Sequence, residues 1–176
     1  MRQLLLLRHA KSSWDDPQLS DHARPLNLRG RKNATMMAAA FRSLNLVPDV
    51  VLVSSARRTL QTMEALEPWE RAPRIEPLDA LYLAGADEIL DVVRVSAPDA
   101  QCLLVVGHNP GLHDLAIRLC GADEYGGDSE MQRIALGYPS GALAQFSVTG
   151  GWGDIGPAAT RLIRFLAPSD LSEVDA

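Results

Sequence analysis

The apolar positions of the chain begin as an unbroken run, Leu4–Leu7, and the run stops on a polar pair, Arg8-His9. A continuous apolar stretch of that length reads as a strand buried on both faces. Val50–Val53 and Cys102–Val106 repeat the pattern, and Arg74–Leu78 is a weaker version of it. Between these runs the spacing changes to that of one-sided helices. Ala34, Met37, Phe41 and Leu44 share a face in a segment starting near Leu28, with Asn27 placed to cap it. Ala56, Leu60, Met63 and Leu66 mark a second helix, and Ala86, Leu90, Val93 and Ala97 a third. Leu112, Leu115, Ala116 and Leu119 mark a fourth, with Pro110 suited to its first turn. Ala142–Val148 alternates like a strand, and Arg161–Leu166 is placed to pair back antiparallel. The remaining stretches are polar: a long loop over residues 12–26, a Gly- and Asp-rich excursion over 121–141, and a turn over 150–156.

The order βαβαβαβα followed by two strands predicts an α/β fold with three layers, α/β/α. Its sheet should be mainly parallel with an antiparallel edge. No linker or internal repeat breaks the 176 residues, so a single domain spanning 1–176 is expected. Hydrophobic residues at 47% and charged residues at 22% fit a globular chain. The formal net charge of −5 argues against a nucleic-acid or membrane-surface partner, so a bound anion has to be held by a local pocket. Cys102 and Cys120 read as buried thiols rather than a disulfide framework. The leucine run is too short for a signal peptide, and no apolar run approaches a membrane span. The compartment these features lead to is the cytoplasm.

The candidate chemistry sits where the apolar runs end. In a doubly wound sheet the carboxyl ends of the strands share one edge, which is where ligands bind. Arg8-His9, Arg58 and His108 each follow a predicted strand, so the fold can bring them together despite their separation in sequence. Arg57 and Arg58 also fall in a first helical turn, where cations oppose the helix dipole, so one of them should have another task. Two guanidiniums offer planar, bidentate recognition of phosphate oxygens. Neighbouring cations disfavour imidazolium, which leaves His9 neutral and nucleophilic. A backbone carbonyl on the far ring nitrogen would fix its tautomer.

Other signals weigh less. Gly151-Trp152-Gly153-Asp154-Ile155-Gly156 fits a dinucleotide pattern but has too little chain after it for a βαβ unit, so it reads as a turn. Neither cysteine opens a Cys-x₅-Arg phosphate loop, and His108 and His113 lack companions for a zinc site. His22 and His113 read as surface or packing histidines.

Leu7-Arg8-His9-Ala10-Lys11-Ser12-Ser13-Trp14 resembles the signature of the histidine phosphatase superfamily, the phosphoglycerate-mutase-like fold. Ser54-Ser55-Ala56-Arg57-Arg58-Thr59-Leu60-Gln61-Thr62 resembles its second motif and puts the family arginine on Arg58. Val106-Gly107-His108-Asn109 resembles the segment of the second histidine. Arg24-Pro25-Leu26-Asn27-Leu28-Arg29-Gly30, Gly107-His108-Asn109-Pro110-Gly111 and Tyr138-Pro139-Ser140-Gly141 extend the likeness to the phosphohistidine phosphatase (SixA-type) branch. The resemblance implies hydrolysis through a phospho-His9 intermediate, with no metal or cofactor, and with Arg8, Arg58 and His108 clamping the phosphoryl group. Ser12, Asp15 and Asn109 fall at positions expected to line the phosphate pocket. One departure bears on substrate. Relatives acting on phosphoesters carry a glutamate acid where this chain has Leu78-Asp79-Ala80-Leu81-Tyr82, leaving Asp79 as a weak proton-donor candidate. The long insertions that enclose small substrates are missing too. Both point to phosphohistidine on a protein partner. The rival readings are a phosphatase of a small phosphoester, or a mutase, and a non-catalytic phosphate-binding module. The module reading predicts loss of one of the four central groups, and all four are present.

Overall fold

Alternation within Leu4–Leu7 decides the layering. The computed structural model describes residues 1–121 and 129–171. In β1 (Arg2–Arg8) all four leucines are fully buried, yet they serve two different cores. Leu4 and Leu6 pack with Ile89 and Val93 of α3 (Ala86–Ser96), Leu115 and Leu119 of α4 (Gly111–Cys120), and Ile134 of α5 (Ser129–Leu136). Leu5 and Leu7 pack with Met37 and Phe41 of α1 (Leu28–Ser43) and Met63 of α2 (Arg57–Glu64). Successive strand residues face opposite sides of a sheet, so a continuous apolar run requires a helical layer on each face.

The other strands are β2 (Val50–Ser54), β3 (Arg74–Leu78), β4 (Cys102–Gly107), β5 (Leu143–Val148) and β6 (Thr160–Leu166). They form one six-stranded sheet in the order β3-β2-β4-β1-β5-β6. The first four of these are mutually parallel, and β5 and β6 complete an antiparallel edge. The predicted architecture is the observed one. β3 lies at an edge, consistent with Pro77 opposite Val53, since a proline supplies no N–H to a further strand.

Two local features fix the elements beside the site. The Asn27 side chain accepts from the Gly30 N–H at 2.8 Å and caps α1. A Cβ at Gly30 would sit 2.0 Å from the Lys11 carbonyl oxygen, so glycine is what lets α1 start against the loop leaving β1. The expected excursion over 121–141 needs correction, because it contains α5. Met131 and Ile134 form its buried face, and the His113 ring donates from Nε2 to the Ile134 carbonyl at 2.6 Å. Two apolar residues three apart carry little periodic signal in a polar stretch, and tertiary burial supplies the rest. Residues 122–128 of that stretch lie outside the described part. The segment around Gly151–Gly156 is a turn, held by buried Trp152 donating to the Ala100 carbonyl at 2.9 Å. Cys102 and Cys120 are buried thiols.

Candidate active site

Strand register, not sequence proximity, assembles the site. Arg8 pairs with Gly107 across β1 and β4, and Val53 pairs with Val106 across β2 and β4. Arg8, Gly107 and Ser54 therefore stand level, and His9, His108 and the start of α2 are the next residues out. The His9 N–H donates to the Gly107 carbonyl at 3.1 Å, joining the two exits. On the other flank β5 runs antiparallel to β1, so the turn before it arrives at the same edge. Gly141 there donates its N–H to the His9 carbonyl at 2.9 Å with a φ of +78°. Glycine adopts that left-handed conformation without steric cost.

A cavity of about 370 Å³ opens at this edge, lined by Arg8, His9, Arg58 and His108 with Asp21 and Arg24. The His9 and His108 ring centroids are 5.3 Å apart. His9 Nδ1 lies 2.7 Å from the Ala10 carbonyl oxygen, which can only accept, so Nδ1 carries the proton and Nε2 keeps its lone pair. Arg58 Nη2 approaches His108 Nδ1 at 3.4 Å and can only donate. The His108 proton therefore sits on Nε2 and goes to the Ser54 hydroxyl at 2.7 Å. Arg8 commits one donor inside the protein, Nη1 to the Tyr138 carbonyl at 2.9 Å. Of the adjacent arginines, Arg58 is buried and Arg57 exposed, which separates the two as the motif alignment does.

Asp21 holds the cationic wall in place. Its carbonyl accepts from Arg58 Nη1 at 2.7 Å and its Oδ2 from Arg58 Nη2 at 3.1 Å. Its Oδ1 accepts from Arg24 Nε at 3.1 Å and Nη2 at 3.0 Å, and the Tyr82 hydroxyl also donates to the carboxylate. Arg24 is buried, reaches Ser12 Oγ at 2.7 Å, and lies 3.5 Å from the ring centre of Trp14. Tyr82 stands edge-on to His108, with ring centroids 5.5 Å apart.

Of the remaining expected site residues, Ser12 and Asn109 line the cavity, and Asn109 donates from Nδ2 to the Tyr138 carbonyl at 2.9 Å. Asp15 is exposed and does not line it. Asp79 does not line it either, and its carboxylate accepts from the Ser55 hydroxyl. That leaves Ser55 Oγ to accept from His22 Nε2 at 2.9 Å, so His22 helps fix the turn that carries Asp21. The sequence pattern assigns no individual role to Asp21, Arg24, Tyr82 or Ser54. For Asp21 and Arg24 the signal is the length of the 12–26 loop, since loops of that size in compact domains are usually functional.

The electrostatics keep both imidazoles neutral. Burial lowers His9 to about 4, with the Arg58, Arg8 and Arg24 charges adding to it and the Ala10 carbonyl opposing it. Burial likewise lowers His108 to about 3, helped by His9 and Arg58 and opposed by Asp21. Asp21 is held down at about 2, first by the Tyr82 hydroxyl and then by Arg24 and Arg58, so it is a carboxylate throughout the neutral range. An unfolded histidine takes up its proton near pH 6.5, above both folded values, so the unfolded chain binds more protons in the interval between. The contribution of these two histidines to stability is therefore complete above about pH 6.5 and declines as pH falls towards 4. For His9 alone the gap corresponds to about 3 kcal/mol. Urea midpoints at pH 7, 5.5 and 4.5 should fall in that order, and more steeply than in His9→Asn; equal slopes would show that His9 titrates normally.

The family model of the histidine phosphatase superfamily (branch 1) matches residues 4–82. A Mycobacterium tuberculosis protein of uncharacterised function is 33% identical over 92% of this chain and 99% of its own length. A chloroplastic Arabidopsis thaliana protein, also uncharacterised, is 34% identical, and the chain spans 60% of its length. The chain belongs to the histidine phosphatase superfamily. Within it the likeness is to the SixA-type branch. The SixA phosphohistidine phosphatase candidate of Nakamurella multipartitia superposes with a TM-score of 0.83 at 32% identity, covering 95% of this chain and 96% of that one. Its counterpart from Agrobacterium tumefaciens gives 0.80 at 29% identity, covering 95% and 98%.

Proposed function

We propose that this chain, as a single domain, hydrolyses phosphohistidine on a partner protein through a phosphoryl group carried transiently on His9. The observation that carries the reading is the state of Asp21. It is the one carboxylate among the described residues lining the cavity, and Tyr82, Arg24 and Arg58 hold it ionised. An alkoxide leaving group needs a proton from an acid of higher pKa. A phosphorylated imidazole protonated on its far nitrogen needs none, because cleavage of its N–P bond releases neutral imidazole. The cationic wall of Arg8, Arg24 and Arg58 suits the phosphoryl oxygens, and phosphoryl transfer is catalysed mainly by such positioning and charge stabilisation.

The chemistry balances without a further group. His9 Nε2 supplies the electron pair for the new N–P bond, the substrate's N–P bond breaks, and its pair stays on the departing imidazole. His9 retains its Nδ1 proton against the Ala10 carbonyl, so the phosphorylated ring is an imidazolium and a good leaving group in turn. Water then attacks phosphorus and its proton passes to the phosphate. His9 is released neutral, in the tautomer it started with. His108, donating to Ser54, and Arg58 flank the transferred group, while Ser12 and Asn109 complete the lining.

The SixA-type neighbours, and the absence of a protonated carboxyl among the described residues lining the cavity, support the protein substrate. The buried thiols fit a reducing compartment such as the cytoplasm. The test compares kcat/KM on a phosphohistidine-bearing protein with a panel of small phosphoesters of rising leaving-group pKa. The protein should exceed every phosphoester, and the panel should decline as the leaving group becomes more basic. A small phosphoester matching the protein would establish the rival substrate class instead. Turnover should also persist in chelator, and loss restored by a divalent ion would overturn the metal-free mechanism.

A further inference from the structure

The cationic and imidazole floor of the cavity accounts for a phosphoryl group but not for what the group is attached to. Two further lining residues are neither charged nor buried. Trp14 is 75% exposed and Leu83 is 55% exposed, and both border the same cavity as His9 and His108. Trp14 is held with one face over the Arg24 guanidinium, so its other face is presented outward. Leu83 has a φ of +51°, a left-handed conformation that a branched side chain seldom adopts. It directly follows Tyr82, which is tied to Asp21, so the backbone that places Leu83 at the rim is fixed to the floor of the site. Large apolar side chains held at a polar mouth are poor choices for solvation, and they suit a flat, weakly polar group that arrives with the phosphoryl donor.

We propose that Trp14 and Leu83 form the leaving-group subsite, and that they select an imidazole ring carried on a protein. The ring packs on the outward face of Trp14 and against Leu83 while its phosphoryl group reaches Arg8, Arg24 and Arg58. Arg24 links the two halves, because the same guanidinium stacks on Trp14 and bonds Asp21. This inference rests on the phosphohistidine reading above and goes further by assigning recognition of the ring to residues outside the phosphate clamp.

The experiment uses two substrates that share a P–N bond and differ in what leaves: phosphohistidine, which releases a ring, and phosphoramidate, which releases ammonia. Trp14→Ala and Leu83→Asn are measured on both, with Trp14→Phe as the conservative variant. Asn tolerates the left-handed backbone at position 83, so that variant removes the apolar surface and keeps the chain path. The ratio of kcat/KM for phosphohistidine over phosphoramidate should fall about tenfold in Trp14→Ala and by roughly threefold in Leu83→Asn, and Trp14→Phe should restore most of it. An unchanged ratio, with both activities falling together or neither falling, would show that Trp14 merely braces Arg24 and would overturn the subsite. A wild-type protein that turns over phosphoramidate but not phosphohistidine would instead overturn the functional reading, and the subsite with it.

Discussion

His9→Ala is expected to lose at least about 10⁴-fold in turnover and to yield no trapped phosphoenzyme. The wild-type protein, quenched during turnover of labelled substrate, should hold label in an acid-labile, base-stable form, as a phosphorylated imidazole does. The size of the effect follows from geometry. His9 is the cavity imidazole whose Nε2 lone pair is free, because its Nδ1 proton is committed to Ala10. His108 presents neither an uncommitted lone pair nor an uncommitted N–H, since Nδ1 accepts from Arg58 and Nε2–H goes to Ser54. His108 is therefore not placed to replace the His9 ring when it is lost. The backbone contacts that join β1 to β4 through residue 9 do not need the ring, so the variant should fold. Label trapped in His9→Ala at the wild-type level would move the nucleophile elsewhere.

The convergence of the four central groups could be read from sequence because each follows an apolar run within a few residues. A buried parallel strand states both its own position and where its carboxyl end must emerge, and Leu4–Leu7, Val50–Val53 and Cys102–Val106 are all of that kind. Register then does the rest, setting Arg8 against Gly107 and Val53 against Val106. Asp21, Arg24 and Tyr82 had no such marker. They lie in or beside irregular segments, where backbone path and side-chain direction depend on contacts from distant parts of the chain. The Asp21 carboxylate is fixed by Arg58, Arg24 and Tyr82, and only the first of these belongs to a regular element. Asp79 and Asp15 show the same limit from the other side. Both are carboxylates at plausible sequence positions, and neither lines the cavity. α5 leaves little trace in the sequence because, among the described side chains, Met131 and Ile134 alone mark its buried face.

These unmarked residues also explain why the chain's net acidity does not reach the site. Arg8, Arg24 and Arg58 line the cavity with Lys11, against the single carboxylate, Asp21, among the described residues lining it. Asp21 is spent on orienting two of the cations, so the excess positive charge remains directed at the cavity. Burial makes this arrangement unfavourable without an anion: the Arg8 guanidinium is shifted down first by desolvation and then by Arg58. On the proposed function, a bound phosphoryl group would relieve that repulsion, and part of the affinity for substrate would be stored in the folded site.

Arg58→Ala tests that argument with a second large effect, and it should show two signatures together. The first is a loss of about 10³-fold in kcat/KM, of the order found when a charge-stabilising group for a transferred phosphoryl is removed. Arg58→Lys should recover only part of it, because an ammonium cannot span the Asp21 carbonyl, the Asp21 carboxylate and His108 as the guanidinium fork does. The second signature is in titration. Arg58 is among the charges that hold His9 and His108 below the usual histidine range, so its removal should raise both. Desolvation is the first cause of both shifts, so the rise should be partial and neither ring should reach its ordinary value. The free-enzyme acid limb of kcat/KM, set near pH 4 by His9, should move upward in Arg58→Ala and move less in Arg58→Lys, which keeps the charge. NMR titration of the imidazole carbons reads the same change without turnover. A 10³-fold loss with an unmoved His9 titration would mean that Arg58 contacts the phosphoryl group but does not help to keep the nucleophile neutral.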